Sequence, residues 1–288
     1  MVNWRLYNNA LVRRGEVVLD LDVIDNWSKE LKNMNNGKKG EPYAYPDSFI
    51  KLLGYMRTYF HLPYRQTEGV VRAHAKNKVP SIPDYSTINR RVNKLDIKIK
   101  ESLENDIVIA LDSTGIKVSN RGEWIHHKWN VRRGYLKIHV AVDIRNKKIV
   151  SMKVTSEEVY DGNMLKKLVQ HVFHNNNVKR VLADGTYDNK ENFKYLYNNG
   201  IDPAIKVRKN SSCRSMGCYS RKVVVLNQLS NFERWKNSVS YGHRWIVESA
   251  ISSMKRMFGE YVSARKYPNM IREMLLKASL YNIFTTIE

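Results

Sequence analysis

Apolar residues recur along this chain with two different periods, and the change between them falls near residue 105. From Asp47 to about Asn105 the repeat is helical. Phe49, Leu52, Leu53, Met56 and Phe60 lie three or four apart, Asp47 or Ser48 is placed to cap them, and Pro63 stops the run. A second helix is predicted from Tyr64 to about Lys78, carrying Thr67, Val70, Val71 and Ala75. Val79-Pro80-Ser81-Ile82-Pro83 is a rigid break. After it, Asp84 or Ser86 can cap a third helix through Ile88, Val92 and Leu95. Upstream, Val23, Ile24, Trp27 and Leu31 predict one short helix within 19–31. The Asn-, Gly-, Lys- and Pro-rich segment 33–46 predicts a loop.

Past Asn105 the pattern becomes that of strands. Ile107 to Leu111 is a short apolar run ending in Asp112, Tyr135 to Val142 alternates, and Lys148 to Val154 follows a turn at Arg145-Asn146-Lys147. A helix is predicted over 162–173, a strand over 178–183, and a helix over 190–199 closed by Gly200. A fifth strand is predicted over 201–207, then a basic loop over 208–222. A long helix over 240–258 and a last one over 269–283 complete the chain. Three consecutive strands, then helix, strand, helix, strand, helix, predict an α/β mixed sheet of the RNase H-like class, preceded by a helical region.

Composition narrows the function. The 288 residues are 42% hydrophobic and 10% aromatic, which excludes a disordered chain. No apolar run approaches the ~20 residues of a membrane helix. The opening MVNWR does not read as a secretory leader. Two cysteines, Cys213 and Cys218, exclude a disulfide scaffold and make no zinc pattern. Charge is the informative quantity: 49 Lys and Arg against 28 Asp and Glu give +21, with an excess in every third of the chain. A folded protein that carries so much self-repulsion suits a polyanionic partner, nucleic acid before a membrane surface. Asn89, Arg90, Arg91 and Lys94 on the third helix fit either a helix-turn-helix reader or the solvated face of a small bundle. Lys128, Arg132 and Arg133 beside Trp129 fit either a phosphate- and base-stacking surface or a solvated turn. His126-His127 nearby fits a metal site or a packed hairpin.

The acidic residues carry the candidate chemistry. Asp112 and Asp184 each follow a buried strand and precede small or polar residues, at the strand ends where α/β sheets gather chemistry. Asp143 is explained by the turn after it, and Asp188 by capping the helix after it. On the long helix, Tyr241, Arg244, Glu248 and Lys255 fall within an arc of about 60° at helical pitch. Glu248 is the one acid between Glu233 and Glu260 in a strongly basic stretch. Asp112, Asp184 and Glu248 make a hard-oxygen donor set suited to Mg²⁺ or Mn²⁺, two of which can serve phosphoryl transfer. Arg244 and Lys255 would hold phosphates, as a fork and a point charge. There is no phosphate-cradling Gly-rich loop and no Ser-His-Asp triad pattern, so ATP use is not expected.

Tyr241, Arg244, Glu248 and Lys255 spell Y-(2)-R-(3)-E-(6)-K, which resembles the signature of a large group of bacterial and archaeal insertion-sequence transposases of the DDE type. LDSTGIKV around Asp112 and LADGTYDN around Asp184 are similar to the segments that supply that family's two aspartates. PDYSTINRR (83–91) and WNVRRGYLKIHVAVD (129–143) also resemble segments of such enzymes. The resemblance runs from about residue 46 to the C-terminus. It implies a helical, DNA-binding region over 1–105 and an RNase H-like catalytic domain over 106–288. It implies two divalent ions held by Asp112, Asp184 and Glu248. Arg244 and Lys255 would contact DNA near the scissile phosphate, and Tyr241 would stack on it or hydrogen-bond to it. Partners would be double-stranded DNA (terminal inverted repeats and target) and a second copy of the chain. The setting would be a prokaryotic cytoplasm, on the nucleoid. The segment 208–236 is too short for a large insertion domain. A nuclease that cuts without joining, and a non-catalytic DNA-binding regulator, are the alternative functions.

Overall fold

The structure is a computed structural model that describes residues 3–20, 22–75, 77–99, 106–118, 134–173, 177–214 and 217–287. The chain divides into two compact units. One comprises Met1–Lys98 with Ala264–Glu288, and the other comprises Ile99–Ser263.

The first unit is helical: α1 (Trp4–Val18), α2 (Trp27–Asn35), α3 (Asp47–Tyr59), α4 (Tyr64–Ala75) and α5 (Tyr85–Val92). Its centre is α3, which buries Phe49, Ile50, Leu52, Leu53, Tyr55 and Met56. Pro46 occupies the cap position of α3; Asp47 and Ser48 lie inside the helix, and Ser48 N–H donates to Glu30 at 2.9 Å. Asp84 does cap α5, accepting from Ser86 N at 2.8 Å and Thr87 N at 2.9 Å. These hydrogen bonds, the Ser86 hydroxyl's first, lower its pKa to about 2.

The sequence places the last helix with the sheet. Instead it packs against α3 in the first unit. Gly54 allows the approach, since a Cβ there would stand 3.3 Å from Leu276 Cδ2. One turn of contact further on, the Tyr55 hydroxyl meets Ser279 Oγ at 2.7 Å.

The second unit is built on β1 (Ile107–Val118), β2 (Tyr135–Asp143), β3 (Ile149–Ser156), α6 (Leu165–Phe173), β4 (Val178–Ala183), α7 (Lys190–Asn198) and β5 (Asp202–Ile205). α8 (Tyr219–Ser230), α9 (Phe232–Ser238), α10 (Trp245–Phe258) and β6 (Tyr261–Val262) follow, and α11 (Tyr267–Thr285) is the last helix already placed in the first unit. The sheet order is β3-β2-β1-β4-β5, with β6 alongside the far end of β1. β1, β2 and β3 are antiparallel neighbours, whereas β1–β4 and β4–β5 are parallel. This is the RNase H-like α/β arrangement. One face is filled by Leu165, Leu168, Val169 and Val172 of α6 with Phe193 and Leu196 of α7. α10 packs on β1 and β2 and buries Ile246, Val247, Ala250, Ile251, Met254 and Phe258.

Several elements differ from the sequence expectation, among them α1, which the pattern does not predict, and α2, which runs into the expected loop. β1 continues six residues past Asp112, because β2 pairs with it from Ile109↔Asp143 to Lys117↔Tyr135. The last four residues of the expected basic loop, 219–222, open α8, and α9 follows where no element is expected. The first turn of the long helix is a 3-10 turn, Tyr241–Arg244, entered through Ser240 in the left-handed region at φ +53°.

Candidate active site

The register of the two central parallel strands brings the aspartates together. Ala110 of β1 is level with Leu182 of β4. Asp112 and Asp184 each lie two residues further on, so they come out side by side where β4 ends and β1 loses that neighbour. β4 stops because Asp184 turns the chain. Its carboxylate accepts Thr186 N–H at 2.9 Å and the Thr186 hydroxyl, capping a 3-10 turn over Gly185–Tyr187. Asp112 is therefore a mid-strand residue, not a strand-end one, and its Oδ1 accepts Ser113 N–H at 2.8 Å.

Glu248 approaches from α10, in its first turn, where the helix dipole favours a carboxylate. Arg244 links it to the strands. The Arg244 guanidinium hydrogen-bonds Glu248 and reaches Asp112 Oδ2 at 3.7 Å. Burial raises the Asp112 pKa, and the Asp184 and Glu248 charges add to the rise; Ser113 N–H and Arg244 oppose it. Lys255 lies two turns after Glu248 on the same face and is half-buried.

Tyr241 is not a surface residue. Its ring is buried against Trp235 at 5.1 Å between centroids, and burial first of all raises its pKa to about 12. At three residues per turn, the 3-10 geometry stacks it over Arg244, whose charge opposes that rise.

Behind the acidic centre lies a polar floor that sequence reasoning missed. Lys137 and His139 alternate onto one face of β2. Asp161, just past β3, receives both: Lys137 Nζ at 2.7 Å and His139 Nδ1 at 3.3 Å from its Oδ1. His139 Nε2 meets Thr155 Oγ1 at 3.0 Å. Burial, with help from the Lys137 charge and against the pull of Asp161, lowers the His139 pKa to about 4. His139 is therefore neutral near pH 7, and Lys137 is the cation that balances Asp161. The Tyr187 hydroxyl is buried beside them with no hydrogen-bond partner among the described residues. Burial raises its pKa well above the ordinary value, and the charges of Asp161, Asp112 and Asp184 add to this. Two polar residues at alternate positions of an otherwise apolar strand were the available signal.

Asp188 is not the cap of α7 that the sequence suggests. Asn189 caps α7, and the buried Asp188 carboxylate takes a two-point fork from Arg221 of α8.

Of the basic residues singled out earlier, Arg90 is exposed on α5. Arg91 is turned inward: it donates to Asp47 Oδ1 at 2.7 Å and Tyr45 O at 3.0 Å, and lies over the Tyr43 ring at 4.4 Å. Arg91 ties α5 to the start of α3 and is spent as a surface cation. Lys128, Arg132 and Arg133 lie outside the described residues, as do Trp124, His126, His127 and Trp129. Cys213 and Cys218 are not joined in a disulfide.

The donor chemistry around Asp112, Asp184 and Glu248 fits a hard divalent cation: oxygen only, with no thiol or imidazole. Among the described residues no three such side chains stand close enough to cage an ion as they are. Arg244, engaged by both Glu248 and Asp112, supplies the positive charge between them. Among the described residues no helix is long and apolar enough to cross a membrane.

Residues 12–121 match a family model described as a transposase DDE domain. Solved structures with similar outlines include a piggyBac transposase synaptic complex with hairpin DNA (11% identity, 95% of this chain and 74% of that one, TM-score 0.45). A Drosophila P element transposase strand transfer complex is another (12%, 94% and 85%, TM-score 0.29). A third is a simian T-cell lymphotropic virus intasome in complex with PP2A regulatory subunit B56 gamma (13%, 67% and 65%, TM-score 0.29). These likenesses are too loose to transfer any residue's role. A second transposase DDE domain model matches residues 104–283, more than half of the chain, with Asp112, Asp184 and Glu248 inside the match, and the chain belongs to the transposase DDE domain family.

Proposed function

We propose that this protein is a DNA transposase that cleaves the ends of its own element and joins them to target DNA, and that it belongs to the group carrying the Y-(2)-R-(3)-E-(6)-K signature. What supports this reading is that Asp112 and Asp184 leave the β1–β4 pair side by side while Arg244 links Glu248 to Asp112 at the same open end. Asp112, Asp184 and Glu248 would hold Mg²⁺ or Mn²⁺, two ions per site. When bound, such ions supply Lewis-acid activation of an attacking hydroxyl and stabilise the leaving oxygen.

The chain's own residues do the rest. Two carboxylates fixed by backbone N–H groups, at Ser113 and Thr186, keep their orientation without help from flexible side chains. Arg244 compensates the site's negative charge before substrate arrives and can then offer its fork to a phosphate. Lys255 adds a point charge on the same helix face. In the chemical step a water or a DNA 3′-hydroxyl oxygen forms a bond to phosphorus, the P–O3′ bond breaks, and the 3′-oxygen leaves. The partner is double-stranded DNA, at the terminal inverted repeats and at the target. Arg90 and the segment around Lys128, Arg132 and Arg133 are the remaining candidates for DNA contact. One acidic centre per chain must serve two element ends, so the working form is a homodimer on DNA.

The test is incubation of the purified protein with the DNA that flanks its own coding sequence, in Mg²⁺ or Mn²⁺, with Asp184→Asn as control. Metal-dependent joined products that vanish in the variant are expected. Cutting without joining would replace this reading with a nuclease, and binding without any cutting would replace it with a regulator.

A further inference from the structure

The segment between β5 and α8 is tied to the very turn that carries Asp184, and Asp188 is the tie. Its carboxylate, fully buried in the side chain, accepts Arg221 Nε at 2.7 Å and Arg221 Nη2 at 2.9 Å. It also accepts the Ser211 hydroxyl and the Arg208 backbone N–H, both at 3.1 Å. Arg221 closes the loop by a further bond to Ser211 Oγ at 3.0 Å. Four bonds to one carboxylate fix geometry; a buried ion pair contributes little net stability for its desolvation cost.

What this clasp positions is Arg208. Its side chain crosses from the loop to the catalytic turn, donating Nε–H to Gly185 O at 3.3 Å and a terminal N–H to the Tyr160 hydroxyl. The guanidinium nonetheless remains exposed. Two of its five N–H donors are used, so it keeps donors for a second partner. Lys206, Lys209 and Arg214 are exposed on the same segment. An arginine pinned one residue from Asp184, with exposed cations on the same segment, is arranged to meet phosphates entering the acidic centre.

We propose that the segment 206–214 is a DNA-backbone rail at the edge of the acidic centre, with Arg208 as its fixed phosphate contact and the Asp188–Arg221 pair as the clasp that holds it. This rests on the transposase reading above. The rail acts on phosphates alone, so it sets the path of the strand and carries no base preference.

The test measures binding of the wild-type protein and Arg208→Gln to the flanking-DNA duplex in EDTA across a salt series, then cutting of the same duplex in Mg²⁺. Each lost phosphate contact lowers the slope of log K against log salt by about 0.9. Arg208→Gln is expected to lower the slope by about that amount and to slow cutting at least tenfold. Lys179→Gln, an exposed cation at the opposite end of β4, serves as a control that changes neither. Arg208→Lys is expected to restore the slope while cutting stays slow, since an ammonium cannot make the bonds to Gly185 and Tyr160 that fix its place. If wild-type protein cuts the duplex and Arg208→Gln keeps both its slope and its rate, the rail is overturned and the transposase reading stands. If wild-type protein neither binds nor cuts, both fall.

Discussion

Arg244 bonds Glu248 across one helical turn, and its second terminal nitrogen stands 3.7 Å from Asp112. One guanidinium therefore compensates two of the three carboxylates that the proposed cofactor would need. Cation and guanidinium compete for the same charge.

That competition gives the first prediction. Arg244→Gln leaves Asp112, Asp184 and Glu248 facing one another with less positive charge nearby. In EDTA the variant should melt lower, by a few degrees for about 1 kcal/mol in a domain of this size. In Mg²⁺ it should gain more than the wild-type protein does, because the ion meets less competition. Thermal melts of both proteins across a Mg²⁺ titration test this. An equal Mg²⁺-induced shift in the two would show that Arg244 does not share its partners with the ion.

How much of this site could be read beforehand differs from residue to residue. Asp112, Asp184 and Glu248 stood out because each interrupts a regular pattern: two end apolar runs, and one is an isolated acid on a basic helix. The extension of β1 did not, since Ser113-Thr114-Gly115 carries no apolar signal; the ladder to β2 sustains it. α8 escaped notice because it buries only Val224, Val225 and Gln228, and long-range polar bonds hold it, such as Gln228 Nε2 to Ile205 O at 2.8 Å. Arg91 looked like Arg90 because neither propensity nor spacing says which of two neighbours meets Asp47. That the last helix packs on α3 was illegible for the same kind of reason: Tyr55 and Ser279 meet across 224 residues of chain.

The polar floor gives the second prediction. Lys137 and Asp161 are mostly buried, with side-chain exposures of 22% and 15%. Lys137→Met strands Asp161 in that environment, beside a histidine that stays neutral. A loss of about 2–3 kcal/mol is expected, below the figure for a fully buried pair because some water remains. Lys137→Met with Asp161→Asn should recover most of it. Urea unfolding of the four members of the cycle measures the coupling, and additive losses would mean the pair is not coupled.

His139 gives a pH dependence. Its pKa is about 4 in the folded protein against an ordinary 6.5. Between those values the unfolded chain binds a proton that the folded one does not, so stability falls as the pH falls from 6.5 towards 4. The slope from this group approaches about 1.4 kcal/mol per pH unit inside the window and vanishes outside it. Replacing His139 by Gln removes that slope, whatever it does to stability at pH 7. An imidazole NMR titration with a midpoint near 6.5 would contradict the burial argument directly.

Asn192 joins the two turns on which the acidic centre rests. Its side-chain amide donates to Gly162 O at 2.9 Å and to Tyr187 O at 3.0 Å, the first in the turn of Asp161 and the second in the turn of Asp184. Gly162 sits tightly in the same seam: a Cβ there would stand 2.7 Å from the Tyr160 ring, 2.9 Å from the Asn189 amide and 3.0 Å from Thr186 O. Asn192→Leu keeps the volume and removes both bonds, at about 0.5–1.5 kcal/mol each, while Tyr187 O still accepts the Asn189 N–H at 2.9 Å. Gly162→Ala keeps the donors and pushes the turns apart, at about 1–3 kcal/mol. Both should separate Asp184 from the floor, so DNA cutting should fall further than the loss of folded protein explains. Rates normalised to the folded fraction, measured by circular dichroism at the assay temperature, make that comparison. If cutting simply tracked the folded fraction in both variants, the seam would serve stability alone, and the position of Asp184 would have to be set by its own Thr186 cap.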